Sequence, residues 1–321
     1  MDPAHHHKMK TKTLLSITTL LAIAFAFVYY IFQHLDDFKQ LTIVNPILLL
    51  ILIVFLLVNY FFISIITKSI LTPLGVYLRT KEAFALSIVT GFYNLITPFK
   101  GGMATRAIYL KKKHNFTYTD FLASLAGMYV ITFLIASLIG IISSLLIYRS
   151  TGVFSWIIFG IFCTMFFPLF LIVIFSPKFP FTKNDFLNRF IKVVNGWNLI
   201  KNDKKTVLIV SIISISQLLL GALMLYLQFQ VFGIEIEFIN CLFLASIGSL
   251  AILIAITPAG LGINEAVTVF SALTIGITPT QSLSVVLLGR AIQMVVLFIF
   301  GPVFSVILIK QKPNRNGNMI K

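Results

Sequence analysis

The tripeptide Ile-Thr-Pro at Ile96-Thr97-Pro98 recurs at Ile256-Thr257-Pro258, half a chain length on in a sequence of 321 residues. Each copy ends an apolar run. Each is followed by glycines and then by an ionisable residue: Gly101-Gly102 and Arg106 in the first, Gly260, Gly262 and Glu265 in the second. Proline removes a backbone donor and clashes with the preceding turn, so neither run is one straight helix. Opposite charges therefore stand at nearly equivalent places in two half-length units, both inside hydrophobic sequence. The pattern predicts a membrane protein of two repeats, whose interrupted helices meet at a central site in the manner of a transporter.

Hydrophobic residues make up 58% of the chain and charged residues 11%, with a mean hydropathy of +0.99, which excludes an ordinary soluble domain. The net charge of +15 does not point to nucleic acid, because the Lys and Arg residues sit in short loops between apolar runs. That placement orients a membrane protein. Cys163 and Cys241 lie in or beside apolar segments, with no CxxC or His/Cys cluster, so neither a metal, a cofactor nor a disulfide is expected. Met1 to Lys8, with His5-His6-His7, reads as a tag remnant and Met9 as the natural start. His34 and His114 read as isolated loop residues. The run Leu14–Phe32 has basic residues before it and Ala24-Phe25-Ala26 within it, as a signal peptide would. It continues apolar through Phe32, which favours a retained span.

Six full spans are expected, at about 13–32, 46–66, 120–147, 153–175, 206–230 and 282–309. Two apolar segments remain, about 83–110 and 240–276, each with Thr-Pro and glycines near its middle. Loop charge decides how they run. If each enters and leaves on one side, the cytoplasmic set holds the basic N-terminus, Lys68, Arg79, Lys81, Lys111-Lys112-Lys113, the linker from Lys178 to Lys205 and the tail with Lys310, Lys312 and Arg315. Asp36-Asp37, Glu235 and Glu237 fall outside, and Arg149 is the small exception to the positive-inside rule. A single crossing of 83–110 would instead move Lys111-Lys112-Lys113 and the basic linker outside together.

The expected fold is therefore all-α and polytopic, with six transmembrane helices and two re-entrant hairpins in an inverted repeat. The first repeat spans 9–150 and the second 151–310, followed by a basic tail, 311–321. Both termini are cytoplasmic, and the hairpin tips meet near the midplane. In the linker 177–205, Phe186, Phe190, Val193, Val194, Trp197 and Ile200 recur at helical spacing, with Arg189, Lys192 and Lys201 off that stripe. This predicts an amphipathic helix on the anionic cytoplasmic leaflet, or a plain tether.

Charges within the membrane are costly unless paired or hydrated, and are candidates for function. Four stand out: Lys100 at the first tip, Arg106 on the arm beyond it, Glu265 in the second hairpin and Arg290 in the last span, one turn before Gln293. Three positive charges and one negative suit an anion. Helices restarting after Gly101-Gly102 and near Gly260 and Gly262 present free N–H groups and positive dipole ends to the same ligand. Against this stand structural readings. Arg106 and Glu265 can form an ion pair that locks the hairpins. Lys100 can snorkel to water, and Arg290 can bind backbone carbonyls. Asn94, Asn264, Gln217 and Gln293 serve equally as ligand contacts or interhelical polar glue. Pro98 and Pro258 read as the structural breaks.

The segment Thr257-Pro258-Ala259-Gly260-Leu261-Gly262-Ile263-Asn264-Glu265 resembles the Pro-x-Gly-x-Gly-x-x-Glu signature of the lysylphosphatidylglycerol synthase transmembrane-region family. Thr97-Pro98-Phe99-Lys100-Gly101-Gly102 with Arg106 resembles that family's earlier motif, and the likeness runs from about Leu14 to Ile309. It implies a polytopic module of lipid translocation, similar to a flippase for aminoacylated phosphatidylglycerol, without the soluble aminoacyl-transferase domain of the full-length synthases. Some relatives are linked to lipid-linked sugars.

The expected function is a flippase for an anionic lipid, of phosphatidylglycerol or polyprenyl-phosphate type, in the cytoplasmic membrane. The substrate-binding set is Lys100, Gly101, Gly102, Arg106, Gly260, Gly262, Asn264, Glu265 and Arg290. The alternatives are a membrane-embedded transferase, and an accessory subunit binding a separate synthase. No catalytic constellation and no nucleotide-binding motif accompany these residues.

Overall fold

The computed structural model describes residues 43–97, 99–175, 178–180, 182, 185–254 and 257–310. The expected span 13–32, the tag remnant 1–8, the tail 311–321 and the break residue Pro98 lie outside the described residues.

Ten α-helices are described, and among the described residues there is no strand. Helix α1 is Ile47–Leu71, extended by a 3-10 turn at Thr72–Leu74 and stopped by Gly75 at φ +83°. Helices α2 (Thr80–Ile96) and α3 (Gly101–His114) follow, then α4 (Tyr118–Thr151) and α5 (Trp156–Phe175). The second half has α6 (Asp185–Asn202), α7 (Lys204–Val231), α8 (Phe238–Ala251), α9 (Ile263–Leu273) and α10 (Pro279–Lys310). Five of these, α1, α4, α5, α7 and α10, are long and apolar enough to cross a membrane. At roughly 1.5 Å per residue, a helix of about 20 residues covers a hydrocarbon core about 30 Å thick.

Local chemistry sets the ends. Thr117 caps α4 by accepting from the Asp120 N–H at 3.1 Å, and Asp203 caps α7 by accepting from the N–H groups of Lys205 and Thr206. Lys111, Lys112, Lys113 and His114 fill the last turn of α3, where cations complement the helix dipole.

The two interrupted segments form helix pairs, the first wider than the sequence suggests and the second shifted toward the N-terminus. The first pair is α2 and α3 around Thr97–Lys100. The second is α8 and α9, around a break that contains a 3-10 turn at Pro258–Gly260. In the first pair the arms approach closely at Gly102. A Cβ there would meet the Thr90 carbonyl oxygen and stand 2.7 Å from Asn94 Oδ1. Backbone cannot yield as a flexible side chain can, so glycine is required on packing grounds.

The packing scheme survives exchange of the two halves. Helix α1 packs along α7. Helix α2 is held between α1 and α10, and α8 is held between α7 and α4. Each pair's first arm is thus clasped by a span of its own half and by the last span of the other half. One contact breaks the correspondence: α9 lies well against α10, whereas α3 meets α4 only slightly.

Helix α6 differs from the sequence expectation. Trp197 and Ile200 are buried in protein, in a cluster with Ile66 and Ile70 of α1, Ile131 of α4 and Val210 of α7. Ile200 sits over Gly127, where a Cβ on α4 would collide with its Cδ1. This end of the apolar stripe meets α4 rather than lipid, because a glycine on α4 opens a slot for it.

Gly102→Ala is expected to lower stability by about 1–3 kcal/mol through overpacking against backbone, read as a lower thermal unfolding midpoint in detergent. Gly75→Ala, where no atom lies within 4 Å of the added carbon, is expected to cost only the strain of its positive φ.

Candidate functional site

The break between α8 and α9 is built on backbone geometry that only glycine adopts cheaply. Gly260 has φ +69° and Gly262 φ +82°. The chain then restarts as α9, and Glu265 stands in its first turn. Glu265 Oε2 accepts from the Gly262 N–H at 2.7 Å. Its Oε1 accepts from Arg290 Nε at 2.9 Å and lies 2.7 Å from Arg290 Nη2. Glu265 is 1% exposed. Both carboxylate oxygens are therefore committed, one to the positive end of α9 and one to a guanidinium on α10. Asn264 is the second residue of the same helix, half-buried, and its carbonyl accepts from the Thr268 hydroxyl.

This corrects one sequence reading. Glu265 pairs with Arg290, not with Arg106. The helix end assigned from sequence to a ligand phosphate carries the protein's own carboxylate here. The sequence signal existed, since Glu265 and Arg290 are opposite intramembrane charges. Which cation reached the carboxylate depended on α9 lying against α10.

The first turn of hairpin α2–α3 is different. Phe99 and Lys100 both have positive φ, and α3 starts with no side-chain cap at Gly101 and Gly102. Lys100 Nζ reaches across to the carbonyl oxygen of Ile252, at 2.7 Å. Ile252 closes the C-terminal end of α8, where a cation meets the negative end of the dipole. The two interrupted segments are thus joined tip to break by one hydrogen bond. Lys100 is partly buried, and a helix terminus of the other half holds it.

Arg106 is 4% exposed. Its Nε donates to Thr90 Oγ1 on α2 at 3.1 Å, and that hydroxyl donates to the Leu86 carbonyl. Among the described residues no carboxylate lies within ion-pair distance of Arg106. Its guanidinium borders a small cavity with Thr67 of α1 and Ser124 of α4. Asn94 Oδ1, between the arms, is buried with no hydrogen-bond partner.

A polar thread missed in the sequence runs from Arg290 toward the first half. Tyr60 of α1 lies near Gln293 and Arg290 of α10. The Tyr60 ring packs on Gly91 of α2, where a Cβ would stand 2.6 Å from its hydroxyl. Gln217 donates to Asn59 Oδ1 at 2.9 Å, tying α7 to α1 as interhelical glue.

A family model described as the lysylphosphatidylglycerol synthase TM region matches residues 17–301. The chain belongs to that family. No curated protein matches it. This member of the lysylphosphatidylglycerol synthase TM region family is a multi-pass membrane protein of lipid-related processes. The matched stretch takes in both interrupted segments, and with them Lys100, Arg106, Glu265 and Arg290.

The family member also carries an ionic cluster at the open end of the first hairpin. Glu82 Oε1 accepts from the Tyr109 hydroxyl at 2.7 Å and lies 3.0 Å from Lys113 Nζ and 2.9 Å from His114 Nε2. His114 is therefore not isolated, as its sequence context suggests. Tyr109, Lys113 and His114 are spaced along one helix, but nothing in the sequence names Glu82 on the other arm as their partner. Burial raises the Glu82 pKa, but the hydrogen bonds from His114, Tyr109 and Lys113 outweigh it and hold the carboxyl down to about 2.

Two outcomes follow. Arg290→Met leaves the Glu265 carboxylate buried against one N–H alone and is expected to cost about 3–5 kcal/mol; Glu265→Gln with Arg290→Met recovers part of that, read by thermal unfolding in detergent. For Glu82, a depressed carboxylate contributes stability above its unfolded value. That stability is lost as pH falls from about 4.5 toward about 2. The parent's unfolding midpoint is expected to drop through that window, and Glu82→Gln to flatten the drop.

Proposed function

We propose that this protein moves an anionic lipid across the membrane, with the lipid phosphate entering between the two interrupted segments while the acyl chains stay in the bilayer. The observation that carries the reading is the Lys100 hydrogen bond to the Ile252 carbonyl. It makes the link between the two breaks depend on an ammonium that a phosphate can compete for. A ligand shifts a conformational equilibrium only by its differential affinity for the two states. A lipid phosphate that draws Lys100 from Ile252 binds the parted state better than the joined one, and so links lipid occupancy to separation of the halves.

The other residues take roles in the same scheme. Gly101 and Gly102 present an uncapped helix start beside Lys100. Arg106, buried without an acidic partner, supplies a second positive charge once α3 moves from α4, its slightest neighbour. Glu265 and Arg290, with Gly260, Gly262 and Asn264 shaping the turn, keep the second helix start closed until a headgroup or proton competes for one of them. Both segments enter and leave on one face, the first from the cytoplasm and the second from outside, with both termini cytoplasmic, as loop charge requires. Alternating access is then a rocking of one half against the other. Family membership supports a lipid as the cargo. The phosphate is common to phosphatidylglycerol-type and polyprenyl-phosphate lipids, and the site recognises that group.

The test is transbilayer movement in proteoliposomes carrying labelled phosphatidylglycerol or a labelled polyprenyl phosphate. The parent is expected to move at least one of them. Lys100→Met and Glu265→Gln are expected to slow movement tenfold or more, on the scale of about 1.4 kcal/mol per tenfold change. A well-folded parent that moves neither lipid overturns the function. Variants that move lipid as fast as the parent overturn the assignment of these residues.

A further inference from the structure

Exchange of the halves maps α3 onto α9 and α4 onto α10. In the second half this pair is closed by an internal salt bridge, Glu265 to Arg290. In the first half the corresponding arm carries Arg106, with charge opposite to Glu265. On α4, the residue as far from the helix start as Arg290 is on α10 is Tyr129. Tyr129 lies near Arg106, but a neutral phenol is no counter-ion. The slot that completes an ion pair in one half is therefore left without its anion in the other.

Three further observations meet at this place. Arg106 is almost wholly buried, and among the described residues its one side-chain hydrogen bond is from Nε to the Thr90 hydroxyl, although a guanidinium carries five N–H donors. Thr67 Oγ1, on the opposite wall of the cavity, is buried with no hydrogen-bond partner. The cavity holds about one water-sized sphere and is otherwise lined by apolar side chains, among them Ile70, Leu110 and Phe121. Ser124 also borders it, but its hydroxyl donates to the Phe121 carbonyl. A buried charge in low dielectric needs a counter-charge. A tetrahedral phosphate or sulfate is too large for the space. A monatomic anion fits it, accepts from several N–H and O–H donors at once, and tolerates apolar walls because it is weakly hydrated.

We propose that the cavity between α1, α3 and α4 is a halide site, in which chloride bound by the Arg106 guanidinium and the Thr67 hydroxyl neutralises the arginine when α3 and α4 are together. The ion takes the part that Glu265 plays for Arg290, but it is exchangeable. Parting of α3 from α4 opens the cavity and releases it. The site stands whether or not the cargo is a lipid, and its test uses no lipid transport.

The experiment is thermal unfolding of the purified protein in detergent at fixed ionic strength, with sodium gluconate replaced stepwise by chloride or bromide, and in a separate arm by phosphate. Halide is expected to raise the parent's midpoint saturably, and phosphate is not. Thr67→Val keeps shape and fills the cavity wall with carbon; it is expected to raise the half-saturating halide concentration about tenfold, the scale of one charge-assisted hydrogen bond. Arg106→Gln is expected to abolish the halide shift. Equal midpoints in gluconate and halide for the parent, or a halide shift unchanged by Thr67→Val, overturn the site. A saturable shift with phosphate but none with halide also overturns it and assigns the arginine to an oxyanion. Since Thr67→Val alone decides the matter, failure of Arg106→Gln to fold leaves the test intact.

Discussion

Everything in the centre of this molecule depends on how buried charge is neutralised. Glu265 is the clearest case. One carboxylate satisfies the backbone N–H at the start of α9 and the guanidinium of Arg290 on α10. Removing either partner from a site that excludes water exposes the full cost of an unpaired ion. That single group fixes three things at once: where α9 begins, which face of α10 it meets, and the sign of the potential at the second break. Gly260 and Gly262 serve the same end, since only residues free to take positive φ let the chain turn into the cap.

The first half solves the same problem differently. Lys100 is satisfied by a carbonyl at the end of α8, so its charge is spent holding the two halves together. Arg106 is satisfied only in part, by Thr90, and faces a cavity with an orphaned hydroxyl. The two halves share a packing scheme yet differ in closure: one by an internal ion pair, the other with an arginine beside a cavity. Under the proposed transport cycle that asymmetry matters, because a fully paired centre has no differential affinity to offer a ligand.

Much of this was legible in the residues. The two Ile-Thr-Pro tripeptides that glycines follow marked both breaks, and Lys100, Arg106, Glu265 and Arg290 stood out because ions inside apolar runs are rare. The helices α2, α3, α8 and α9 fall where the apolar segments and their breaks put them. Less legible was the partnership among the ions. With two arginines and one carboxylate, sequence order favours neither pairing, and the symmetry of the motifs suggested Arg106 with Glu265. Glu82, Thr67 and Tyr60 went unnoticed because each is unremarkable in its own segment. Helix α6 was read as a surface element from its stripe, and only Gly127 on a distant helix makes a slot for Ile200.

Sequence alone determined that the chain is helical and membrane-embedded, and that two of its apolar segments are interrupted near a Thr-Pro followed by glycines. These follow from hydrophobic length and from proline's missing donor, both of which are local properties. Tertiary structure decided which cation neutralises Glu265, that Lys100 crosses to the other half, and that Arg106 is left beside a cavity. Those outcomes rest on which helices lie against one another. Ion pairing acts over a few ångströms between residues far apart in the chain, so only the folded arrangement selects among the partners that the sequence supplies.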